Sequence, residues 1–153
     1  MNNLHRRVRI IADFQFGKGT GNILFPDSVE FTLSRTRRIS QIIENGERVS
    51  TLRSSDGLLT LSIEGAKRLH RFLRYPGMRV VMNEESSKFI KKGGTAFCKH
   101  VIDADPEIRA YEELIMVDEK DRLLATGKAM LSGDEMKIFE HGVAVKVRYG
   151  IEK

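Results

Sequence analysis

Cysteine occurs once in the 153 residues, at Cys98, and tryptophan does not occur at all. A lone cysteine excludes an intramolecular disulfide and leaves no thiol cluster for zinc. Cys98 sits between Phe97 and Lys99 in a predicted strand, where a buried, inert thiol is the plain reading and a reactive one the alternative. His5, His70, His100 and His141 are scattered without ligand spacing, so no metal site and no cofactor are expected. No apolar run approaches the length of a membrane span, and the N-terminal MNNLHRRVRI lacks a hydrophobic signal core; the expectation is a cytoplasmic chain with no membrane partner. No Gly-x-Ser-x-Gly motif marks a nucleophile, and no internal repeat is present. Only three prolines occur, one of them in the breaker Tyr75-Pro76-Gly77. That break near the middle favours two small domains, 1–77 and 78–153.

Charge divides at the same point. The first 77 residues hold 13 Lys+Arg against 7 Asp+Glu, a net of +6, whereas the remainder holds 13 against 14, a net of −1. Eleven of the thirteen cations in the first half are arginines, whose planar fork suits phosphate and stacks on bases. A polyanionic partner follows from that segregation.

Within the first half, Leu4, Val8, Ile11 and Ala12 recur at helical spacing, predicting a helix from about Asn3 to Asp13 with Arg6, Arg7 and Arg9 on its outer side. The stretch FGKGTGN from Phe16 suggests a phosphate loop, but its order is wrong for a nucleotide-binding motif. It reads as a flexible connection or as an RNA-phosphate contact through Lys18. Val29, Phe31 and Leu33 alternate with Glu30 and Thr32, predicting a strand with one buried face. Ile39 to Glu44 and Arg48 to Arg53 flank Asn45-Gly46, a type I′ hairpin signal, and Leu58 to Leu61 supplies a further strand after Asp56-Gly57. Ser62 caps a helix with Ile63, Ala66, Leu69, Phe72 and Leu73 as its apolar stripe. Lys67, Arg68, Arg71 and Arg74 lie largely on the other side. They form either a solvated face or a ridge facing RNA or a partner, together with the Arg35, Arg37 and Arg38 cluster.

In the second half, Arg79 to Met82 reads as a strand and Asn83 or Ser86 starts a short helix through Lys92, closed by Gly93-Gly94. Val101, Glu113 to Val117, Leu123 to Met130 and Val143 to Val147 read as strands, with Asp118 to Asp121 as a hairpin loop. Ser132 and Glu135 form a capping box, and Gly142 reads as the stop of that helix. Asp103 and Asp105 most resemble a catalytic pair, yet Pro106 argues for a turn in which both carboxylates bond local backbone. Gly127, inside a strand, reads as a bulge or close-packing site. Aromatic stacking platforms are not evident, because the Phe residues mostly occupy apolar phases of predicted elements.

The run from Phe97 to Arg148 resembles an RNA-binding PUA domain. Together with FGKGTGNILFPDSVEFTLSRTRRISQI from Phe16 and TLRSSDGLLTLSIEGAKRL from Thr51, it is similar over nearly the whole chain to the C-terminal extension of archaeal tRNA-guanine transglycosylases. The resemblance implies an α+β fold: a small N-terminal domain of antiparallel sheet and helices, then a PUA pseudo-barrel of mixed strands with short helices. In that family both follow a zinc-containing TIM barrel that exchanges a D-arm guanine to make archaeosine, while the PUA domain grips the acceptor stem and 3′ end. No position here matches the barrel's nucleophilic aspartate or zinc ligands, so no catalytic residue is assigned and the chain is not expected to be an enzyme by itself. The resemblance implies a tRNA-binding chain that serves a separate catalytic subunit. The alternative is a stand-alone PUA protein of translation or ribosome assembly. By the same resemblance the RNA surface comprises Lys88, Lys91, Lys92, Gly93, Gly94, Lys99, Lys146 and Arg148. The plainer reading of these residues is a helix stop among ordinary surface charges.

Overall fold

Four antiparallel strands in chain order, β1 (Glu30–Leu33), β2 (Ile39–Glu44), β3 (Glu47–Leu52) and β4 (Leu59–Leu61), form the first sheet in a computed structural model that describes residues 3–152. The chain falls into two compact units, Met1–Phe72 and Leu73–Lys153. Helices α1 (Asn3–Phe16), α2 (Thr20–Leu24) and α3 (Ile63–Phe72) complete the first unit. The Asn45-Gly46 turn has φ of 53° and 80°, as a type I′ hairpin requires. Ser62 caps α3, its Oγ accepting from the Gly65 N–H at 3.1 Å.

Helix α1 extends one turn beyond its predicted end and buries His5, Val8, Ala12 and Phe16. His5 belongs to this face because its ring meets Phe31 edge-on at 5.0 Å and its Nε2 lies 3.0 Å from the Asp27 carbonyl. The alternation predicted for β1 holds only in part. Leu33 is 50% exposed, because the β1–β2 register slips between Phe31 and Leu33 and throws the last residues out of phase.

The glycine-rich stretch is not a flexible connection. Thr20 donates from Oγ1 to the Ala12 carbonyl at 2.9 Å, and the Gly21 N–H donates to Asp13 Oδ1 at 2.8 Å. A Cβ on Gly21 would stand 2.4 Å from the Arg9 carbonyl oxygen. Glycine is therefore there to let α2 lie against α1, and the N–H that an anion would need already serves a carboxylate. Gly21→Ala must push the two helices apart; a loss of about 1–3 kcal/mol is expected, measured as a lower midpoint in thermal or urea unfolding.

The second unit is a six-stranded sheet in the order β6-β10-β9-β8-β5-β7, formed by β5 (Arg79–Met82), β6 (Ala96–Phe97), β7 (Val101–Ala104), β8 (Glu113–Val117), β9 (Leu123–Ala129) and β10 (Val143–Gly150). Only the β5–β8 pair is parallel. The two edge strands, β6 and β7, are joined by the three-residue 3-10 helix Cys98–His100. So short a link holds the edges close, and the sheet curls into a nearly closed pseudo-barrel. Val80, Met82, Leu114, Met116, Leu124 and Val145 fill it. Helices α4 (Glu84–Ile90) and α5 (Gly133–Ile138) sit on this barrel, and α5 begins with the predicted Ser132–Glu135 capping box.

Two local expectations are corrected. Helix α5 ends at Ile138, so Gly142 is not its stop; at φ 97° it leads into β10, and its carbonyl accepts the Cys98 N–H at 2.9 Å. Cys98 opens the 3-10 turn rather than lying in a strand, and burial pushes its thiol pKa up. Asp103 and Asp105 serve the backbone, as the turn reading expects: Asp105 accepts from the N–H groups of Met78 and Glu107, and Asp103 from that of Ala104. Arg79 is 2% exposed. Its guanidinium bonds Asp121 Oδ1 at 2.7 Å and the carbonyls of Gly77 and Leu73, so its charge faces inward.

Candidate nucleic-acid interface

Helix α4 and the turn after it are fixed at both ends. Asn83 Oδ1 accepts from the Ser86 N–H at 2.9 Å, capping the start. At the other end the Gly93 N–H bonds the Ile90 carbonyl and the Gly94 N–H bonds the Phe89 carbonyl, both at 2.9 Å, with Gly93 at φ 94°. This pairing closes a helix through a left-handed residue, a conformation open to glycine. The end of β10 packs against the same turn, since a Cβ on Gly150 would stand 2.0 Å from the Lys91 carbonyl oxygen. That carbonyl also accepts the Glu152 N–H at 2.9 Å. The turn is thus built before any ligand arrives.

Beside it lies a cleft of about 330 Å³ lined by Phe89, Phe97, Gly94, Thr95, Lys99 and His100, with Glu85, Ser86 and Ile90 completing the wall. Phe89 is 60% exposed and Phe97 43% exposed, although both are large apolar side chains. Lys88 Nζ lies 5.6 Å from the centre of the Phe89 ring, a cation–π distance. The His100 Nδ1 lies 3.1 Å from Asn83 Nδ2, which orients the imidazole at the back of the cleft. Flat rings, a hydrogen-bonding imidazole and lysines at the rim are groups that hold an unstacked base and its phosphate.

The predicted RNA-binding residues do not all meet here. Gly94 and Lys99 line the cleft, and Gly93 and exposed Lys92 form the turn at its side. Lys88 and Lys91 border a second cleft, of mixed charge, shared with Glu84, Asp118, Glu119 and Lys120. There the Asp118 carboxyl is held below its ordinary pKa: burial opposes this, but the N–H groups of Arg122 and Lys120 and the Arg122 guanidinium outweigh it. Lys146 is exposed on β10 opposite Lys128 and lines neither cleft. Arg148 is committed inward, gripping Glu113 with Nε at 2.9 Å and Nη2 at 2.7 Å. This pairing raises the Arg148 pKa against burial.

In the first unit Arg35, Arg37 and Arg38 are exposed around the β1–β2 turn, and Lys67 and Arg71 are exposed on α3. Arg68 is a correction to the predicted ridge. It lies half-buried with Nη2 at 2.7 Å from Glu44, Nε at 2.9 Å from Glu64 and Nη1 on the Leu24 carbonyl. Glu44 ends β2, while the arginine turn precedes its start, so Arg68 lies roughly 17 Å from that turn along the strand.

Sequence reasoning missed Phe89, Phe97 and His100. Phe89 carried a legible signal: α4 buries Ser86, Ser87 and Ile90, so a phenylalanine one position from Ile90 is out of phase with the buried face. Phe97 carried none, because its exposure depends on β6 being a two-residue edge strand.

A curled mixed sheet with short helices and a glycine turn beside an open cleft is the architecture of a PUA domain, and residues 78–151 match that domain family. Residues 6–76 match the patch-forming domain C2 of tRNA-guanine transglycosylase. Together the two matches span nearly the whole chain. It is 51% identical over 149 residues to the tRNA-guanine(15) transglycosylase of Pyrococcus abyssi, covering 97% of this chain and 25% of that protein. With the corresponding protein of Methanothermobacter thermautotrophicus the identity is 50% over 145 residues, covering 94% and 22%. The matched part is the C-terminal region of these proteins, and the chain spans about a quarter of the length of the curated relatives it matches. Among solved structures, a hypothetical protein of Pyrococcus horikoshii aligns with a TM-score of 0.76 at 24% identity, covering 97% of this chain and 90% of that one. A conserved PUA domain protein of Thermoplasma acidophilum gives 0.67 at 16%, covering 98% and 89%. These two likenesses establish the fold.

Proposed function

We propose that this chain binds tRNA and holds it for base exchange carried out by a separate catalytic subunit of an archaeosine tRNA-guanine transglycosylase. The observation that carries the RNA-binding part is the cleft with exposed Phe89 and Phe97 beside the pre-built Gly93-Gly94 turn. A cleft that takes an unpaired base fits the single-stranded 3′ end of tRNA, and Lys92 and Lys99 at its rim fit the adjoining acceptor-stem phosphates. Exposed Arg35, Arg37 and Arg38 at the β1–β2 turn, and exposed Lys67 and Arg71 on α3, are further basic groups for RNA or partner. A role in that reaction is supported by the identity of about half to tRNA-guanine(15) transglycosylases over nearly the whole of this chain. The mechanism is positioning: contacts remote from the reacting guanine hold the substrate in a reactive arrangement.

Direct binding tests the first part. If about four to six phosphates are neutralised, the logarithm of tRNA affinity should fall against the logarithm of salt concentration with a slope of roughly −3 to −5. A flat dependence in filter binding would rule out phosphate-led recognition. Labelled-guanine exchange into tRNA, with the catalytic subunit alone and with this chain added, tests the second; no gain in rate would reject the accessory role. A stand-alone RNA-binding role is the second reading. It is supported by the PUA match over residues 78–151, and it predicts tRNA binding with no transglycosylase co-purifying.

A further inference from the structure

On α1 every buried position lies on one side, at His5, Val8, Ala12 and Phe16. Diametrically opposite, near the centre of the outer face, stand Ile10, 59% exposed, and Phe14, 84% exposed. They are four residues apart, hence adjacent on the helix surface, and Arg6 and Arg7 flank them, both exposed. Two large apolar side chains side by side on the solvent face of an amphipathic helix make an exposed apolar ridge, the kind of surface a partner covers.

We infer that the Ile10–Phe14 ridge of α1 is the docking surface for the catalytic transglycosylase chain, with Arg6 and Arg7 meeting acidic groups at the rim of the contact. This rests on the accessory-chain reading above. The relatives carry about three quarters more protein beside the matched region, and on the accessory-chain reading protein of that kind is the cover for an apolar ridge in the unit that matches their C2 domain. Side-chain chemistry favours protein over RNA here. Isoleucine offers no flat face for a base, and Asp13, on the same exposed side, accepts the Gly21 N–H through a carboxylate that would repel phosphate. Aromatic and arginine side chains around an apolar centre are the composition of protein interfaces. The ridge is also too narrow for membrane adsorption.

Two measurements on the full chain test this. Ile10→Ser with Phe14→Ser should reduce recovery of the transglycosylase chain from native extract by about tenfold or more, with thermal stability and tRNA affinity unchanged, because both side chains are outside the core. A photo-crosslinking phenylalanine analogue at position 14 should join the chain to that same polypeptide, identified by mass spectrometry. Unchanged recovery, or a crosslink only to tRNA or to a second copy of this chain, would overturn the docking assignment while leaving the accessory role intact. If the wild-type chain recovers no transglycosylase, the accessory role fails and the docking assignment with it. A variant that loses stability assigns the two residues to the fold and also overturns the inference.

Discussion

Replacing Arg148 by alanine is expected to lower the thermal midpoint of the second unit by more than 10 °C while leaving the Phe89–Phe97 cleft intact in the protein that remains folded. The side chain of Glu113 has no solvent exposure, that of Arg148 retains 30%, and the two share the bidentate contact at 2.9 and 2.7 Å. Removing one partner of such a pair leaves a charge in an environment that solvates it poorly, which costs about 3–5 kcal/mol; partial exposure of the guanidinium puts this case near the lower value. In a unit of this size, about 3 kcal/mol corresponds to a shift of about 12–24 °C. Circular dichroism against temperature measures it. The result also decides what Arg148 is for: a residue predicted as a phosphate contact would, when removed, weaken tRNA binding and leave the midpoint alone. An unchanged midpoint with weaker binding would return Arg148 to the interface.

The opposite pattern is expected at the cleft. Phe89→Ala and Phe97→Ala should each weaken tRNA binding by roughly five- to a hundredfold, the effect of losing about 1–3 kcal/mol of stacking on one base. Their stability should change less than at a core position, because a good part of each side chain already stands in water, at 60% and 43% exposure. Salt provides the discriminating readout. Loss of a stacking ring should lower affinity equally at every salt concentration, whereas Lys92→Ala, which removes a phosphate contact, should make the slope of log affinity against log salt shallower. Fluorescence anisotropy with labelled tRNA at several salt concentrations separates the two. If both phenylalanine variants bind like the wild type, the cleft is not where RNA sits.

These two sites mark where sequence reading succeeds and where it stops. Hairpins and caps are local, so Asn45-Gly46, Ser62 and the Ser132–Glu135 box could be read from neighbouring residues alone. The glycine-rich stretch after Phe16 could not. Whether Gly21 loosens a loop or seats one helix on another depends on Arg9, twelve positions away, coming within 2.4 Å of where a side chain would begin. Gly127 was legible as a packing site, and a Cβ there would stand 2.6 Å from the Lys146 carbonyl. The partner strand that imposes the constraint was not legible. Among the basic residues, composition pointed to a polyanionic partner but not to which cations are free to serve one. Arg68, Arg79 and Arg148 turn inward to Glu44, Asp121 and Glu113 respectively.

By itself the sequence determined the α+β class, most of the strands, most of the helix starts and the likeness to the C2 and PUA domains, because each is written in short-range patterns of period, cap and motif. Only the tertiary structure decided which charges face water, that Phe89 and Phe97 stand in an open cleft, and that Ile10 and Phe14 crown the outer side of α1. Exposure and ion pairing are properties of residues brought together from distant parts of the chain, and no local pattern contains them.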